Sequence, residues 1–119
     1  MGLMDELRQL GVNVDEAVAR MMGNEAVYQR ILGKFPAMLE STALSTDFDA
    51  SDCKPVIEKA HSLKGTTGNL SLTPLYEAYT KITNLLREGE TESARELLME
   101  IQPVQEKIVA CIKKYSSVS

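Results

Sequence analysis

One histidine stands in the chain, His61. Lys64, Gly65 and Gly68 follow it at i+3, i+4 and i+7. At about 100° per residue, that spacing is a single stripe of a helix. A neutral imidazole nitrogen is a nucleophile. An ammonium one turn along the same face can offset charge developing on the group it attacks. The two glycines are costly for a helix, each about 0.8–1.0 kcal/mol less favourable than Ala in its interior. Thr66 and Thr67 between them are β-branched and help little. A surface that must let another backbone approach His61 would use such bare positions. Two plainer explanations stay open: His61 and Lys64 as a solvated pair, and glycines that ease packing of a neighbouring helix.

A second stripe of the same stretch is apolar: Cys53, Val56, Ala60, Leu63, Thr67 and Leu70. It predicts a helix buried on one side, with His61 about a third of a turn away and exposed. Asp52 or Ser51 is placed to cap it, and Pro55 falls in its first turn, where a missing N–H is harmless. The helix should run to about Leu70. Ser71 to Pro74 then reads as a tight break, with Thr73 as the next cap and Pro74 at the first helical position.

The remaining elements are helices too. Met4 to Leu10 reads as a short helix closed by Gly11. Asn13 and Glu16 make a capping-box-like start for a helix reaching about Met22, stopped by Gly23. Asn24 can cap the next, whose apolar residues Val27, Tyr28, Ile31, Leu32, Phe35, Met38 and Leu39 recur at helical spacing. Pro36 should kink or restart it. Leu75, Tyr79, Ile82, Leu85 and Leu86 give another apolar face, ended by Gly89. Thr91 can cap a last helix carrying Ala94, Leu97, Leu98, Ile101, Val104, Ile108, Cys111 and Ile112, bent at Pro103. Residues 116–119 read as a frayed tail. Long amphipathic helices with short connections predict an all-α, up-down antiparallel four-helix bundle with short additional N-terminal helices. Residues 1–119 form one domain in this reading: 1–23 as capping helices, 24–115 as the bundle.

Composition narrows the function. The 119 residues are 44% apolar with a net charge of −4, and the pI is near 5.0. That suits a globular domain and not a nucleic-acid binder, whose footprint is basic. No apolar run approaches the roughly 18 residues of a membrane span, and no signal peptide is evident, so a cytoplasmic location is expected. Cys53 and Cys111 are far apart and fit core positions better than a zinc site. Asp47 and Asp49 fit an ordinary polar turn better than a metal site. No glycine-rich phosphate loop is present.

Ala60-His61-Ser62-Leu63-Lys64-Gly65, followed by Gly68-Asn69-Leu70, resembles the signature of histidine phosphotransfer (HPt) domains. These are the four-helix-bundle intermediates of multistep phosphorelays. The similarity runs from about Leu10 to Ala110. Ser71 departs from the Gly of many members, and Ile82-Thr83 from their Leu-Glu; neither is expected to touch the histidine stripe. The resemblance implies that His61 is the phosphorylated nucleophile and Lys64 its charge stabiliser. Gly65, Gly68, Ile57 and Lys54 would be partner-docking residues. It implies a stoichiometric carrier, not an enzyme, with no cofactor or metal of its own. It implies a monomer whose partners are a response-regulator receiver domain, a hybrid sensor histidine kinase, or both. His61 would take its phosphoryl group from a receiver aspartate and pass it to another receiver; the receiver would bring the acidic pocket and the Mg²⁺. The alternative is a helical docking module for receiver or kinase domains that relays nothing.

Overall fold

A computed structural model describes residues 2–42, 44 and 46–116. Among them there are seven helices and no strand: α1 (Leu3–Gln9), α2 (Val14–Arg20), α3 (Glu25–Leu32), α4 (Phe35–Thr42), α5 (Lys54–Asn69), α6 (Thr73–Arg87) and α7 (Thr91–Ser116). The all-α class predicted from periodicity is therefore the class observed. α6 packs along both α5 and α7, and α4 closes the group by touching α5 and α7. α1 lies on α7, and α2 links α1 to α3.

The core is apolar and large: Tyr28, Leu32 and Phe35 face Ala60, Leu63, Leu75, Tyr79, Ile82, Leu98, Ile108 and Ile112, all nearly inaccessible. Burial at about 25 cal/mol per Å² of apolar surface holds these helices together more than their propensities do. Thr67, Thr83 and Ser71 are buried polar exceptions, the two threonines within helices. Each threonine returns its hydroxyl to the carbonyl four residues back, Leu63 and Tyr79, at 2.7 Å. Tyr79 also donates to Gln105 from α7.

Several local expectations are corrected. The helical pattern from Val27 to Leu39 breaks at Gly33-Lys34, not at Pro36, which sits in the first turn of α4. There its ring and missing N–H disturb nothing. α5 is capped by neither Asp52 nor Ser51. Cys53 holds that position without a side-chain capping bond, while the Ser51 N–H and hydroxyl both donate to Asp49 at 2.9 and 2.6 Å. Those bonds lower the Asp49 pKa. Likewise Thr73 begins α6 and its hydroxyl turns to Ser71 O, leaving Leu72 as the cap and Pro74 in second place. α2 ends at Arg20, short of Met22. The last helix is continuous, as expected, with Pro103 inside it. Pro103 is exposed there, so the carbonyl it orphans can bond water. Of the predicted tail, Ser116 ends α7 and residues 117–119 lie outside the described residues.

Two elements fix the ends of α5. At its N-terminal approach, Arg95 of α7 donates to Thr46 O at 2.8 Å and lies over the Phe48 ring at 4.7 Å. That pins Thr46 and Phe48 against α7. At its C-terminal end the chain turns through a Schellman motif, with Leu72 N–H to Thr67 O at 2.9 Å and Ser71 N–H to Gly68 O at 3.1 Å. The residue in the left-handed position is Ser71, φ 54°. Glycine would sit there without strain.

Candidate functional site

His61 lies midway along α5, on the side away from the core, and its side chain is exposed. The buried stripe is the predicted one: Val56, Ala60, Leu63 and Thr67 point inward, and Leu70 just beyond the helix is buried. His61, Lys64, Gly65 and Gly68 together line a surface concavity of about 620 Å³. Lys54 and Ile57 are on the preceding turns of the same helix, outside that concavity, Lys54 exposed and Ile57 half-buried.

The two glycines turn out to differ. A Cβ at Gly65 would meet nothing within 4 Å. At Gly68 a Cβ would come within 2.9 Å of the Tyr76 ring. The bare surface beside His61 is therefore Gly65, whereas Gly68 admits an aromatic ring from α6. Tyr76 is itself 39% exposed and lines the concavity with Glu77 and Thr73.

The opposite wall comes from α2, which sequence reasoning treated only as a cap. Asn13 Oδ1 does accept from Glu16 N–H at 3.2 Å, but the Glu16 carboxylate does not reach back to complete a capping box. It accepts from Arg20 Nη2 and from Ser71 Oγ, both at 2.8 Å. Arg20 Nη1 donates to Gly68 O at 2.7 Å and to Asn69 O and Ser71 Oγ at 3.2 Å. A cation there is favoured by the negative end of the α5 dipole. Tyr28 OH donates to Leu70 O at 2.6 Å from the buried side, and Asn13 N–H donates to Ser71 O at 3.0 Å. The last carbonyls of the histidine helix are thus held by α2, its cap and α3. Ser71 was expected to stand apart from the histidine stripe. It instead lines the same concavity, 3% exposed. Its departure from glycine was the one signal in the sequence that something else bonded there.

No group of three or more His, Cys, Asp or Glu that could hold a metal ion gathers among the described residues. None of their helices is long and apolar enough to cross a membrane. The arrangement offers an exposed imidazole, a half-buried lysine one turn along, an open glycine beside them, and a polar hollow into which a partner's surface could fit.

A family model described as Hpt domain matches residues 27–110 of the chain. Comparison with curated proteins and with solved structures found no match.

Proposed function

The chain belongs to the Hpt domain family, whose members carry phosphoryl groups on histidine in two-component signalling, and we propose that it relays between receivers through His61. In that reading a neutral ring nitrogen of His61 attacks the phosphorus of a receiver's aspartyl phosphate. The P–N bond forms, the P–O bond to the aspartate breaks, and the carboxylate leaves with the electron pair. The reverse reaction, on a second receiver, passes the group on. Phosphoryl transfer asks mainly for positioning and charge stabilisation. Lys64 supplies a cation on the same face; the acidic pocket and Mg²⁺ would be the receiver's. The chain is then a carrier, working in the cytoplasm as a single-domain monomer.

The observation that carries this reading is the pairing of an exposed His61 with an open Gly65 one turn along. A nucleophile shared between proteins must be reachable by a backbone, and here it is. The test is incubation with purified phosphorylated receiver domains. An acid-labile, base-stable phosphoryl adduct at His61 is expected, absent in His61→Gln, whose fold should be unchanged because the side chain is exposed. Receiver binding without any adduct would make the chain a docking module instead. An adduct that persists in His61→Gln would place the chemistry elsewhere.

A further inference from the structure

One wall of the hollow around His61 comes from outside the region the family model matches. That region begins at residue 27, whereas Asn13, Glu16 and Arg20 line the hollow from α2 and its cap. A single guanidinium ties this wall to the histidine helix. Arg20 reaches Gly68 O, Asn69 O, Ser71 Oγ and the Glu16 carboxylate, at 2.7 to 3.2 Å. The Glu16–Arg20 ion pair would do little alone, since both side chains are about half exposed, 48% and 49%. The fork is another matter. It bonds acceptors on two elements at once, with a planar geometry that fixes how they sit, as a point charge could not. Ser71 Oγ closes the ring by donating to Glu16 at 2.8 Å.

Arg20 does not touch the reacting nitrogen. Its nearest anchor, Gly68, is seven residues from His61, about 10 Å along the helix axis. His61 and α2 line the same hollow, so a receiver surface that fills it to reach His61 would also rest on α2. We propose that Arg20 is a positioning residue for receiver docking, holding the α2 wall of the hollow against the end of the histidine helix. This rests on the relay reading of His61. A preformed wall spares the partner the ordering of α2 on binding, so its loss falls on association with the receiver and not on the transfer step.

The experiment measures initial rates of phosphoryl transfer against receiver concentration, using the phosphorylated receiver domain that transfers fastest to the wild-type protein. For Arg20→Gln the KM should rise by about tenfold, with kcat held within about twofold. Arg20→Lys keeps a cation at the helix end, and its melting temperature should stay within about 2 °C of wild type. Its KM should nonetheless rise by about fivefold, because an ammonium cannot span the same acceptors. Should Arg20→Gln not fold, Arg20→Lys decides. Unchanged KM in the folded variants overturns the proposal. So does full rescue by lysine, which would reduce Arg20 to its charge, and so does a loss confined to kcat. A wild-type protein that accepts phosphoryl from no receiver overturns the relay reading and this inference with it; a normal wild type beside normal variants overturns this inference alone.

Discussion

The Tyr76 ring occupies the space that a side chain on Gly68 would need, its Cδ1 and Cε1 lying 2.9 and 3.0 Å from where a Cβ would stand. The contact joins α6 to the last turn of α5 inside the hollow that both line. It sets two opposing effects on Gly68→Ala. Helix propensity would gain about 0.8–1.0 kcal/mol, and overpacking would cost about 1–3 kcal/mol. A net loss of about 1 kcal/mol in urea denaturation is expected. It should vanish in the Tyr76→Ala background, where the double-mutant cycle exposes the coupling. A Gly68→Ala protein more stable than wild type would mean that the ring yields freely.

Gly65 has no such neighbour. Gly65→Ala should stabilise by up to about 1 kcal/mol. Gly65→Gln should keep the melting temperature, yet put a long side chain one turn from His61. Transfer from a phosphorylated receiver should then fall by at least about tenfold, because small misplacements at a reacting centre are costly. A Gly65→Gln protein that melts several degrees lower, or transfers normally, would contradict the role given to this bare position.

Ser71 holds φ 54° and also bonds Glu16 and Arg20. Ser71→Gly relieves about 1 kcal/mol or more of left-handed strain while losing bonds of similar worth. Ser71→Ala loses the bonds and keeps the strain. The glycine variant should therefore be more stable than the alanine variant by about 1 kcal/mol. Thermal melts run side by side would measure the difference; equal stabilities would mean that the strain carries no energy.

Lys64→Ala should slow transfer by about two- to fivefold at low ionic strength, the range of an exposed charge interaction. Salt near 1 M, where the Debye length is about 3 Å and shorter than one helical turn, should shrink the difference. Equal rates at low salt would remove Lys64 from the chemistry.

Burial pushes the Tyr79 phenol up to about 12. Tyr28 moves the same way for the same reason. The protonated phenols belong to the folded state, so their stability is fully present below about pH 10. It is lost as the pH climbs through the raised values. Urea midpoints should hold to about pH 10 and then fall, and Tyr79→Phe should flatten part of that fall. A fall equally steep in Tyr79→Phe would assign it to other groups.

The histidine stripe was legible because helical periodicity needs only local information. One count of residues placed Leu63 inward and His61 outward. Gly11 was legible for a similar reason, adopting φ 91° just past the end of α1. What could not be read were bonds between distant segments. Arg20 lies 48 positions before Gly68, and nothing in its neighbourhood marks it as more than a surface cation. Glu16 looked like half a capping box because its competitor for that role, Ser71, is 55 positions away. The difference between Gly65 and Gly68 depends on where Tyr76 of another helix falls, and Tyr76 sits off the apolar face that defined α6. The cap of α5 was misassigned because Ser51 and Asp49 satisfy each other first.

Lys114 Nζ donates to Glu6 Oε1 at 3.1 Å across 108 positions of sequence, whereas α5, α6 and α7 meet as consecutive neighbours. Nearby contacts form early in folding, and long closures carry the larger entropic penalty. The topology therefore sets an order of assembly in which α5 finds α6 first and α1 settles on α7 last. Opening should run the other way, with the amides of α1 and α2 exchanging before those of α5 and α6. In a partly assembled chain His61 would already ride on a finished helix while the wall of α2 was still adrift. The nucleophile would then be in place before the docking hollow around it was complete.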